Sequence, residues 1–114
     1  MMTNHVSRPS IDDSEAITAA RNQINQIDEK LIDLLRQRFQ TSALIGKIKE
    51  TADLPVLDSG REQQVLERVV SLDPDPTTEK YLRNIFEEIL KNSRDYQHDL
   101  AGDDATDNDI KEND

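Results

Sequence analysis

The sequence predicts an all-α fold with three helices per chain, one of them very long. Apolar residues recur at three- and four-residue intervals from about Asp12 to Ala52 with no proline inside the run. Two shorter stretches, residues 59–72 and 77–97, keep the same period. No strand pattern competes with either reading.

In the first helix, Asp12 followed by Glu15 resembles a capping box, and Pro55 sets the far limit. Reading heptads, Ile17, Ile24, Leu31, Arg38, Ile45 and Ala52 fall on one edge of the seam. Ala20, Ile27, Leu34, Thr41 and Ile48 fall on the other. A sustained 3.5-residue repeat marks a helix packed along its length against other helices. The second helix starts at Asp58 or Ser59, where Ser59-Gly60-Arg61-Glu62 fits the S-x-x-E pattern, with Val65, Leu66, Val69 and Leu72 as its apolar face. The Asp-Pro-Asp-Pro run from Asp73 to Pro76 stops it. The third helix opens at Thr77 or Thr78 and runs to about Gln97, with Leu82, Ile85, Phe86, Ile89 and Leu90 as its stripe.

A helix of about 40 residues is roughly 60 Å long. A compact monomer of this size measures only about 25–30 Å across. Two short helices cannot cover such a rod, so an intertwined homodimeric helical bundle is expected. A break at Gly46, the one glycine in the run, would instead give a monomeric bundle.

Composition narrows the chemistry. Only 34% of the 114 residues are hydrophobic and 33% are charged, so the core is modest. The absence of Cys removes disulfides, thiol catalysis and Cys-based zinc sites. No apolar run approaches the ~20 residues that span a bilayer, and residues 1–11 lack the apolar stretch of a secretory signal. A cytoplasmic protein without a cofactor or metal is expected. The net charge of −10 is concentrated at the end, where residues 98–114 carry seven acidic residues against Lys111. Such a chain repels phosphate backbones, and no basic stripe with aromatics is present, so nucleic acid is excluded as a partner. Residues 1–11 are expected to be a flexible segment, 12–97 a helical domain and 98–114 a disordered acidic tail.

The informative residues are the polar ones that interrupt the stripes. Arg38 stands on the seam between Leu31 and Ile45, Glu62 shares the face of Val65 and Val69, and Ser93 and Gln97 prolong the stripe of the third helix. Each has a plain structural reading. Arg38 and Glu62 can be an ion pair, Glu62 a capping partner, Ser93 and Gln97 a fraying end, and Arg21 and Lys49 flanking charges. Asp58 and Arg61 fit a helix start. Together they suggest a pocket for a small polyanion gripped by Arg21, Arg38, Lys49 and Arg61. Arg38 and Lys49, 11 residues apart, lie about 16 Å apart on nearly one face. Arg21 and Arg38, 17 residues apart, are separated by about 26 Å, so a site using both must draw one from a second chain.

This set of residues resembles the all-helical (AroQ-type) chorismate mutases. The resemblance rests on Ala20-Arg21 through Ile27-Asp28, Leu34-Leu35-Arg36-Gln37-Arg38, Gly46-Lys47-Ile48-Lys49, Pro55-Val56-Leu57-Asp58, Arg61-Glu62, and Phe86 leading to Ser93 and Gln97. It covers roughly residues 15–97. Gly60 and the charged Arg94 beside Ser93 depart from the pattern. What the resemblance implies is a dimer of three-helix chains whose long helices cross between subunits. It also implies conversion of chorismate to prephenate, an intramolecular Claisen rearrangement on the way to phenylalanine and tyrosine that needs no cofactor. By the same resemblance, Arg38 and the partner subunit's Arg21 grip the carboxylates, and Lys49 and Gln97 donate to the ether oxygen. Glu62 with the backbone near Asp58 orients the ring hydroxyl, and Arg61 and Ser93 complete the pocket. Docking on an aromatic-pathway synthase is a further expectation. Isochorismate pyruvate-lyase chemistry on the same fold, and a non-catalytic module that binds a pathway metabolite, stand as the alternatives.

Overall fold

A computed structural model describes residues 9–105, and it contains three α-helices. They are α1 (Pro9–Thr51), α2 (Ser59–Leu72) and α3 (Glu79–Ala105). Among the described residues there is no strand, and no helix is long and apolar enough to cross a membrane.

The division into two compact units falls inside α1, at Gln37 and Arg38. In the first unit, Ile17, Ile24, Ile27, Leu31 and Leu34 are all exposed, about half or more of each being open to solvent. The second unit holds the core. Val65, Leu66 and Leu90 are buried, and Val69 and Phe86 pack against them. Phe39 meets Tyr96 edge to face, with ring centres 5.7 Å apart. Burial of an aromatic pair in this geometry adds about 0.5–1.5 kcal/mol beyond its area.

Helix ends depart from the sequence reading in instructive ways. α1 already includes Pro9, three residues before the expected start at Asp12. The chain runs unbroken through Gly46, so the expected alternative of a break there is overturned. At its far end the N–H of Leu54 bonds the Lys49 carbonyl at 2.7 Å, and that of Asp53 bonds Glu50 at 3.2 Å. This pair of bonds is a Schellman motif, with Asp53 at φ 59° in the position usually given to glycine.

α2 is capped by Asp58, whose carboxylate accepts from the Arg61 N–H at 3.0 Å. The expected box between Ser59 and Glu62 is therefore not the cap, and the Glu62 side chain is free to face elsewhere. The corner between α2 and α3 is closed by aspartate turns. Asp75 accepts from the Thr77 N–H and hydroxyl at 2.9 and 2.7 Å, which hold its carboxyl below the ordinary range. Thr78 donates to Asp73 at 2.6 Å.

α3 continues past Gln97 to Ala105. Leu100 and Ala101 share a small cavity of about 130 Å³ with Ala43 and Gly46 of α1. Residues 1–8 and 106–114, on which most of the expected flexible segment and the end of the acidic tail fall, lie outside the described residues.

The left-handed residue gives a direct test. A β-branched side chain at Asp53 clashes in this conformation, so Asp53→Val should destabilise the fold by about 1–2 kcal/mol. Asp53→Gly should not, and urea unfolding midpoints would distinguish the two.

Candidate active site

One face of each helix of the second unit meets a single cleft of about 280 Å³. From α1 come Arg38, Ser42, Ile45 and Lys49, at spacings of four, three and four that keep one face of a helix. α3 supplies Leu90, Ser93, Arg94 and Gln97 by the same rule, and α2 supplies Arg61, Glu62 and Val65 behind its cap Asp58. Thr41 and, from the connection after α1, Val56 complete the wall.

The polar groups are held by one another. Arg38 donates to the Ser93 hydroxyl at 3.0 Å, and Ser93 donates in turn to the Ile89 carbonyl at 2.8 Å. Ser93 and Ser42 are buried. Lys49 donates to the Val56 carbonyl at 2.9 Å, a contact made possible by the Schellman turn that folds the chain back over the end of α1. Gln97 donates from Nε2 to the Ser42 carbonyl at 2.7 Å and to its hydroxyl oxygen at 2.9 Å. Arg94 pairs with both oxygens of Glu62, the second at 2.6 Å. The ion pair expected between Arg38 and Glu62 is thus replaced by one between Arg94 and Glu62.

The cleft is electropositive within an acidic chain. Arg38, Lys49, Arg61 and Arg94 line it against the carboxylates of Asp58 and Glu62. Burial, followed by the neighbouring charge of Arg61, pushes the Arg38 guanidinium below its ordinary value. A bound anion would relieve that penalty. Lys49 keeps donors to spare after its bond to Val56, and so does Arg38 after its bond to Ser93. The arrangement can therefore grip a small anion carrying more than one negative group.

Seven of the residues singled out in the sequence share this cleft: Arg38, Lys49, Asp58, Arg61, Glu62, Ser93 and Gln97. Arg21 belongs to the first unit, is exposed and does not line the cleft. Sequence reasoning missed Ser42 and the role of Arg94. The signal for Ser42 was present, because the face that joins Arg38 to Lys49 passes through it. Nothing in the spacing announces that Arg94 turns toward Glu62.

Comparison with known proteins identifies the family. Residues 20–98 match the family described as chorismate mutase type II. The bifunctional chorismate mutase/prephenate dehydratase of Escherichia coli K12 is 33% identical over 78 residues, which are 68% of this chain and 20% of that protein. Its counterpart in Buchnera aphidicola is 38% identical over 79 residues, 68% of this chain and 21% of the relative. The chain thus spans about a fifth of the length of the curated relatives it matches. Among solved structures, a conserved hypothetical protein from Pyrococcus furiosus superposes with a TM-score of 0.61 at 36% identity. The match covers 72% of this chain and 95% of that one.

The Arg94–Glu62 pair is less than a third exposed on both sides, whereas Lys91–Asp95 lies in open solvent. Arg94→Ala should therefore cost about 1–2 kcal/mol of stability, and Lys91→Ala less than about 0.5 kcal/mol. Urea unfolding of the two variants beside the parent protein checks the difference.

Proposed function

The chain belongs to the chorismate mutase type II family, and from that premise we propose that it rearranges chorismate to prephenate. The observation that carries this reading is the charge of the cleft. Four cations against two carboxylates in about 280 Å³ suit a compact dianion and little else. The reaction is an isomerisation within one molecule. A carbon–oxygen bond of the ether breaks as a carbon–carbon bond forms, and no proton or electron enters or leaves.

Such a reaction asks the protein for two things. It must hold the folded, reactive conformer, and it must stabilise negative charge that develops on the ether oxygen. Arg38, already oriented by Ser93, grips one carboxylate through paired N–H donors. Lys49, tethered at the Val56 carbonyl, points a second donor at the ether oxygen, and Gln97 supplies another. Glu62, steadied by Arg94, accepts from the ring hydroxyl, with Asp58 and Arg61 at the head of α2 beside it. Because charge grows at the ether oxygen only as the bond breaks, Lys49 and Gln97 act on kcat more than on KM.

We further propose a homodimer. The seam from Ile17 to Leu34 is apolar and exposed, and a second copy of the same helix would cover it. In that assembly Arg21 of the partner subunit completes the grip on the second carboxylate. The relatives' names join a mutase to a prephenate dehydratase in one polypeptide. That supports coupling to a neighbouring enzyme, for which docking on a pathway synthase is the form proposed here. A cytoplasmic location accompanies this biosynthetic role. The helical domain is proposed to be the mutase, with the acidic tail dispensable for catalysis.

Purified protein should consume chorismate, read as loss of its ultraviolet absorbance. Salicylate formed from isochorismate would instead support the lyase alternative. Arg38→Ala and Lys49→Ala should each lower kcat/KM by about 10²–10⁴-fold while circular dichroism stays helical. Rates like those of the parent would overturn the site assignment. A mixed dimer of Arg21→Ala and Arg38→Ala chains should regain one intact pocket, and no recovery of activity would count against a shared site.

A further inference from the structure

Gly46 is half-buried in α1. A β-carbon at this position would stand 2.9 Å from Gln97 Cγ, 3.3 Å from Cβ and 3.4 Å from Cδ. Carbon atoms pack at about 3.5–4.0 Å, so any side chain here must push Gln97 aside. The backbone at Gly46 is ordinary helix without a positive φ. Conformational freedom is therefore not the reason for a glycine, and space is.

The space is occupied by Gln97, a proposed donor to the ether oxygen. With α3 this close, the Gln97 amide reaches the Ser42 carbonyl at 2.7 Å and the Ser42 hydroxyl at 2.9 Å. In an α-helix the Ser42 carbonyl already accepts the N–H of residue 46, so Gln97 uses its second lone pair. A carbonyl only accepts. The contact therefore admits the amide nitrogen and rejects the amide oxygen, which leaves Gln97 a single orientation. One hydrogen rests on a rigid backbone oxygen. The other rests on a hydroxyl that rotates about its own bond, and it is the one a ligand oxygen can claim.

We propose that Gly46 is a positioning residue for Gln97: its missing side chain lets the amide clamp onto Ser42, and the clamp aims an N–H donor into the cleft. The inference rests on the reading of Gln97 as a donor to the ether oxygen, and it adds how that donor is oriented. Ser42 provides the fixed anchor and Gly46 the room.

Three variants test it: Gly46→Ala, Gln97→Ala and the double substitution. Gly46→Ala should lower kcat by about tenfold or more with KM within about threefold, since the lost donor serves the transition state. Its thermal midpoint should stay within a few degrees of the parent's, because alanine's better helix propensity offsets the lost Ser42 bonds, which separates the effect from damage to the fold. In the Gln97→Ala background, adding Gly46→Ala should change kcat by less than about twofold. Parent-like kcat in Gly46→Ala, or a further large loss in the double variant, would overturn the proposal. A second measurement is independent of turnover. In the ligand-free protein, the Gln97 side-chain amide protons should exchange slowly by nuclear magnetic resonance, and fast in Gly46→Ala. Fast exchange in the parent protein would overturn the clamp. Slow exchange in a protein that leaves chorismate untouched would instead sink the functional reading and keep the clamp.

Discussion

Four cationic side chains share one small cleft, and the half-buried Arg38 carries its main electrostatic cost, since burial first and the charge of Arg61 second disfavour its protonated form. Such crowding is tolerated only where each cation has a partner or access to solvent. Ser93 accepts from Arg38, the Val56 carbonyl accepts from Lys49, and Glu62 neutralises Arg94. No buried side-chain nitrogen or oxygen among the described residues lacks a partner. The residual positive field is what a dianion would satisfy.

Helix termination and site construction are the same events here. The Schellman turn around Asp53 satisfies the last carbonyls of α1 and, by folding the chain back, delivers the Val56 carbonyl to Lys49. Asp58 caps α2, which frees Glu62 from a capping role and lets it face Arg94. Gly46 brings α3 close enough for Gln97 to reach α1. A small core of Val65, Leu66 and Leu90 suffices because polar bonds across the helices add to it.

Charge is separated by scale. The chain carries −10 overall, yet the cleft is positive. Long-range repulsion disfavours extended polyanions such as nucleic acid, while donors a few ångströms from a bound ligand act almost unscreened. That contrast supports the proposed preference for a small doubly charged molecule.

The sequence by itself determined the helical class, the face of each helix and seven of the residues that meet in the cleft. The class and the faces depend on a period of 3.6 residues, which neighbouring side chains express without any knowledge of the fold, while the full set of seven, Asp58 among them, came from the resemblance to a known family. Arg38 and Lys49 share a face because they are eleven positions apart, wherever the helix lies. Only the tertiary structure decided the pairings. The sequence offered Glu62 a pair with Arg38 or a place at its own helix end, and in the structure Asp58 takes the cap while Glu62 pairs with Arg94. Ser42 and Gly46 gained their importance from the approach of Gln97, fifty-five residues from Ser42 along the chain, a distance that local periodicity does not span. The end of α3 was also misread. An acidic composition argued for a loose tail, yet the helix continues to Ala105, with Leu100 and Ala101 across a small cavity from Ala43 and Gly46.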